Sequence, residues 1–122
     1  MLKELFLVGA GSCLGGMGRY LLSLALRGVS GGFPWGTCAA NLAGCLLIGV
    51  LGGLLARSEP SALHLLLMVG FCGGFTTFST FSRESVALLQ SGQLSALAGY
   101  VVLSVVGGMA LTAAGYCIAK AL

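Results

Sequence analysis

Charge is what this sequence has least of. Its 122 residues include three Glu, no Asp and six Lys or Arg, so 7% of the chain is charged, against roughly 25% in soluble proteins. Such a chain cannot dress a globule in a polar surface, which excludes a soluble enzyme. No nucleic-acid partner is expected either. Histidine and asparagine occur once each, as His64 and Asn41, and proline twice. Hydrophobic residues make up 57% of the chain and 21 residues are glycine. A bilayer about 30 Å thick needs about 20 apolar residues per helix, so this length allows four spans, short connections and no separate domain.

The few charges divide the chain. They stand at Lys3/Glu4, Arg19, Arg27, Arg57/Glu59, Arg83/Glu84 and Lys120, and charged side chains collect at the ends of membrane helices. The reading is an all-α membrane protein, one domain over residues 1–122, with spans near 5–26, 34–56, 61–91 and 94–119. Pro34 suits the first turn of the second helix. Ser58 or Ser61 is placed to cap the third, and Gly92 is placed to close it in the left-handed region. Lys3 and the apolar run up to Cys13 imitate a secretory signal, but cleavage there would destroy the first span.

Cys13, Cys38, Cys45, Cys72 and Cys117 all fall in apolar segments without a C-x-x-C pair, so they read as small buried hydrophobes and not as metal ligands. Gly11/Gly15, Gly49/Gly53, Gly70/Gly74 and Ala40/Gly44 are small residues four apart, a pattern for close helix packing. Four spans would put Lys3, Arg57 and Lys120 on one side against Arg27 and Arg83 on the other, three against three once Arg19 is counted. That balance leaves either one weakly biased topology or insertion both ways, with copies paired head to tail in a closed two-fold dimer.

The most informative stretch is Gly70-Phe-Cys-Gly-Gly-Phe-Thr-Thr-Phe-Ser-Thr-Phe-Ser82. Glycines followed by the β-branched Thr76-Thr77 predict a break in the third helix near residues 73–77; an intact, glycine-packed helix is the alternative. Unwound backbone survives at membrane depth where protein or water satisfies it, and such places hold ions or substrates. A hard cation such as Na+ suits carbonyl oxygens. Phe78 and Phe81 share a helical face, either as packing or as rings whose positive edges line an anion path. Asn41 needs a partner mid-membrane, in another helix or in a permeant species. Tyr100, Ser104, Gly108 and Thr112 recur every fourth residue, so their hydroxyls either bond to their own backbone or, with Asn41, Ser79 and Thr80, offer neutral donors along a route. Arg19 either snorkels to phosphate or faces an aqueous vestibule, where it would concentrate anions.

Glu4, Glu59 and Glu84 all read as lying near helix ends. A proton-coupled exporter of cationic compounds needs an embedded carboxylate and is disfavoured; a membrane kinase lacks its Mg2+ carboxylates and phosphate loop. A structural subunit without transport is a further alternative.

Gly16-Met-Gly-Arg-Tyr20, Trp35-Gly-Thr-Cys-Ala-Ala-Asn-Leu-Ala-Gly44 and the Gly70–Ser82 stretch together resemble the CrcB/Fluc family of fluoride channels, along the whole length of the chain. The resemblance implies antiparallel dual-topology homodimers in a bacterial inner membrane, with two pores that export cytoplasmic fluoride passively. It implies a Na+ at the dimer interface held by backbone oxygens of Gly73 and Thr76. Phe78 and Phe81 would be the pore rings, and Asn41, Ser79 and Thr80 would help to hydrate the ion. Tyr100 and Thr112 would line the same route, with Arg19 at the vestibule. Fluoride itself comes from the resemblance; the residues read alone support a small anion.

Overall fold

A computed structural model describes residues 1–29, 31–56 and 61–122. Among the described residues four helices are long and apolar enough to cross a membrane: Leu2–Ala25, Trp35–Leu55, His64–Gln90 and Leu94–Ala121. The first is α1 and the second α2. The third consists of α3, π-wound over His64–Cys72 and α-wound over Gly73–Phe75, followed by α4, Phe78–Gln90. The fourth is α5, Leu94–Ala121, with one π-wound stretch at Leu103–Gly107. This is an all-α, four-span membrane architecture.

Helix ends follow local chemistry. Ser61 Oγ accepts the His64 N–H at 3.3 Å and caps α3; Arg57–Pro60, with the alternative cap Ser58, lies outside the described residues. Pro34 stands one residue earlier than expected, as the N-cap of α2, with the Cys38 N–H on its carbonyl at 3.0 Å. Gly92 ends α4 with φ +74°, and the Gln93 N–H reaches the Leu88 carbonyl while the Gly92 N–H reaches that of Leu89. Those paired bonds form a Schellman closure, which needs the left-handed residue that glycine supplies without a Cβ clash.

Packing pairs α1 with α3, and α2 with the second half of α5. Between α1 and α3 the contact is backbone against backbone: a Cβ on Gly11 would strike the Leu66 carbonyl, and one on Gly15 the Phe71 carbonyl. On the other side, a Cβ on Gly70 would meet the Gly11 Cα at 2.9 Å. Gly49 stands in the same way against the Thr112 carbonyl of α5. A separate side-chain core forms where α2, α4 and α5 meet, around the buried Cys38, Leu88 and Tyr100 with Phe33 and Phe81 packed on them.

The outer surface is apolar, with Leu14, Met17, Val102, Val106, Met109 and Ile118 exposed, as expected of faces that meet lipid. Two cysteines depart from the expected burial. Cys13 and Cys117 lie on exposed faces, Cys38 and Cys72 are buried, and all five are free thiols. Helical periodicity explains this, because an apolar residue in a membrane span is as well placed facing lipid as facing protein.

Candidate functional site

Between α3 and α4 the backbone leaves helical geometry for two residues. Thr76 has φ −87° and ψ 157°, and Thr77 has φ −152° and ψ 122°. Both are β-branched and adopt extended backbone readily. The change redirects hydrogen bonds that a continuous helix would make between residues four apart. The Thr77 N–H, due to the Gly73 carbonyl, goes instead to Asn41 Oδ1 at 2.7 Å. The Thr80 N–H, due to the Thr76 carbonyl, goes to Thr77 Oγ1 at 3.2 Å, which makes Thr77 the N-cap of α4. Asn41 Nδ2 also donates to the Thr77 carbonyl at 3.0 Å.

Gly73 and Thr76 therefore carry the two carbonyls whose helical donors have been turned to side chains. Hard oxygen atoms of this kind fit Na+ better than a transition metal. No group of three His, Cys, Asp or Glu that would hold a metal occurs among the described residues. Next along the chain, the Gly74 carbonyl accepts Arg19 Nε at 3.3 Å. Arg19 thus satisfies helix-end backbone from across the α1–α3 contact. Thr76 gives both its N–H, at 3.0 Å, and its Oγ1, at 2.8 Å, to the Cys72 carbonyl.

A cavity of about 370 Å3 opens beside these two residues, walled by Asn41, Gly73, Thr76, Phe78, Phe81 and Ser104 among others. The Phe78 ring is 78% exposed there, and its centroid lies 5.7 Å from that of Phe81. Ser79 is exposed and Thr80 half-buried, both within 3.2 Å of Thr77 Oγ1 through their side-chain oxygens. The structure thus brings Asn41, Gly73, Thr76, Phe78, Phe81, Ser79 and Thr80 into one neighbourhood. Thr112 lies elsewhere: its hydroxyl is given to the Gly108 and Cys45 carbonyls, at 3.0 and 3.1 Å, and it lines a separate apolar groove.

Tyr100 is fully buried and stacks on Phe81 at 4.9 Å. Its hydroxyl donates to Glu84 Oε2 at 2.9 Å, and the other carboxylate oxygen accepts Thr37 Oγ1 at 2.8 Å. Glu84 therefore does not sit at a helix end, as its place beside Arg83 implied. It stands in the middle of α4, half-buried, joining α2, α4 and α5. The expectation that every carboxylate lies near an end is corrected for this residue. Thr37 and Glu84 were both missed, although a signal existed: Phe78, Phe81 and Glu84 follow at three-residue spacing and so share a helical face.

The neighbourhood contains hydroxyls, amides, aromatic edges and a cationic neighbour. Such groups can strip and replace the hydration of a small ion without covalent chemistry. Comparison with known proteins agrees in scale and extent. The family described as CrcB-like protein, Camphor Resistance (CrcB), matches residues 6–116. A Fluoride-specific ion channel FluC of Prosthecochloris aestuarii is 44% identical over 120 residues, 97% of this chain and 94% of that protein. The FluC of Pseudomonas syringae pv. maculicola is 47% identical over 117 residues, covering 94% and 92%. That of Chlorobium phaeobacteroides is 45% identical over 118 residues, covering 95% and 92%. With its length, its four apolar helices and nearly all of its sequence accounted for by one family, this chain belongs to the CrcB-like multi-pass membrane proteins.

Proposed function

We propose that this protein is a fluoride-selective channel, passing cytoplasmic fluoride down its gradient across the bacterial inner membrane and so lowering its toxicity. It is a transport protein and not an enzyme. The relatives named as fluoride-specific channels support the ion. The observation that carries the site is the extended backbone of Thr77, whose N–H and carbonyl are both bonded to the Asn41 side chain beside the Phe78–Phe81 pair.

In this reading the third membrane helix is broken at Thr76–Thr77. Asn41 holds the extended backbone in place, so Thr77 and the rings of Phe78 and Phe81 keep fixed positions on the cavity wall, with the Ser79 and Thr80 hydroxyls bonded to that of Thr77 beside it. A dehydrating fluoride would meet hydroxyl and amide donors and the electropositive ring edges in turn. Arg19 holds positive charge next to the interruption, which raises the local anion concentration. Tyr100 continues the route behind Phe81, and Thr112 joins it from the groove on the far side of Ser104. The working unit is an antiparallel, dual-topology homodimer embedded in lipid, with two pores. The carbonyls of Gly73 and Thr76 would hold Na+ at its centre, where the cation supplies charge that keeps the facing backbones together.

A secondary transporter of cationic compounds has less support. Glu84 does supply a carboxylate within the bundle, yet both of its oxygens already accept hydroxyl donors. Purified protein in liposomes loaded with fluoride should release it, without a proton gradient, to a fluoride-selective electrode. Chloride-loaded liposomes should stay nearly tight. Equal release of both halides would remove the selectivity, and release that demands a proton gradient would replace the channel with a transporter.

A further inference from the structure

A second cavity, of about 270 Å3, lies at the end of the bundle where α1 finishes and α2 begins. Ser23, Arg27, Phe33, Trp35, Thr37 and Glu84 are among its walls. Among the described residues it holds one cation, the exposed Arg27, and one carboxylate, Glu84. The first cavity, beside Thr76–Thr77, is joined to it by a row of rings. Phe78 and Phe81 lie 5.7 Å apart, Phe81 and Tyr100 4.9 Å, Tyr100 and Phe33 5.4 Å edge-on, and Phe33 and Trp35 4.4 Å. Phe78 and Phe81 wall the first cavity and Phe33 and Trp35 the second, with the Tyr100–Glu84–Thr37 tie between them.

We propose that the cavity lined by Arg27 and Glu84 is a mouth of the permeation route, and that Arg27 is the residue that sets anion occupancy there. The inference rests on the channel reading above. Glu84 alone would give this mouth a negative potential and repel an arriving anion. Arg27 lines the same cavity with the opposite charge and so offsets that potential, and low-dielectric walls make the field of each reach further than in bulk water. Arg19 cannot do this work, because it is bonded to the Gly74 carbonyl at the other cavity's side of the bundle. Arg27 acts by position and charge.

The signature of such a role is its dependence on salt, since the Debye length shrinks from about 30 Å at 0.01 M to about 3 Å at 1 M. Fluoride efflux would be timed from zwitterionic liposomes at those two ionic strengths, set with an impermeant salt. Arg27→Gln should slow efflux by about threefold or more at low salt and approach wild type at high salt, while Arg27→Lys stays near wild type because a point charge suffices. Arg83→Gln removes an exposed cation that lines neither cavity and should behave as wild type. Three results would overturn the assignment: Arg27→Gln matching wild type at both salts, an equal loss at both salts, or the same salt-dependent loss in Arg83→Gln. Wild-type liposomes that never release fluoride would instead remove the channel reading itself.

Discussion

Asn41 pairs with both backbone groups of Thr77, accepting its N–H at 2.7 Å and donating to its carbonyl at 3.0 Å. A side-chain amide can do both at once because it carries a donor and an acceptor side by side in one plane, matching the spacing of the two backbone groups. Asn41→Ala would leave both backbone groups without these partners, each at a cost of about 1–3 kcal/mol when buried. Thermal unfolding in detergent should fall accordingly, and fluoride efflux should fall with it. Asn41→Asp keeps the acceptor, so it should unfold later than Asn41→Ala while conducting poorly, because it places a negative charge beside the route.

Phe78 and Phe81 separate packing from function because their burial differs: Phe78 is mostly exposed, whereas Phe81 packs on the Tyr100 core. Phe78→Ile should leave thermal stability within about 0.5 kcal/mol, as at other exposed positions, yet suppress fluoride efflux. Phe81→Ile should lower both. Undiminished efflux in Phe78→Ile would end the ring's assigned role.

Tyr100 and Thr37 share one acceptor group on Glu84. Glu84→Gln leaves one oxygen for two hydroxyls, and Tyr100→Phe removes one of those hydroxyls. The single variants should each be destabilised by about 1.5–3 kcal/mol, as for hydrogen bonds to charged groups. The double variant should be destabilised by less than their sum, with a coupling of about 0.5–3 kcal/mol from unfolding midpoints. Strict additivity would show that the tie contributes nothing as a unit.

Glycines test the α1–α3 contact by contrast. Gly9 has open space around its missing Cβ, so Gly9→Ala should be neutral or stabilising by up to about 1 kcal/mol. Gly15→Ala drives a methyl into the Phe71 carbonyl, and its protein should elute from size-exclusion as aggregate or fail to accumulate in the membrane.

Much of this architecture is legible in the sequence, for reasons that differ from one part to another. The four spans follow from hydropathy and the few charges between apolar runs, and Gly92 and the Ser58/Ser61 pair announce ends because capping is local chemistry. The glycine and threonine pairs mark residues 73–77 as poor helix. What escaped has non-local causes. Glu84 was read with Arg83 as an end marker, and only the meeting of α2, α4 and α5 shows its two hydroxyl donors. Nothing in His64–Cys72 announces π-winding. The partner of Arg19 lies on another helix, 55 positions along the chain, a distance at which spacing carries no signal.

At its glycines the seam between α1 and α3 is main chain against main chain, bridged by the Ser12 and Arg19 side chains to the Gly70 and Gly74 carbonyls. Gly11, Gly15 and Gly70 contribute no side-chain rotamers, so forming the seam costs little side-chain entropy and no rotamer change can relieve a strain there. Those two helices should move as one rigid bar. Slack belongs on the opposite flank, where Phe33, Phe81, Leu88 and Tyr100 meet through side chains that can repack. Any breathing that accompanies ion passage is therefore assigned to α4 and the first half of α5, with α1 and α3 as the fixed frame against which they move.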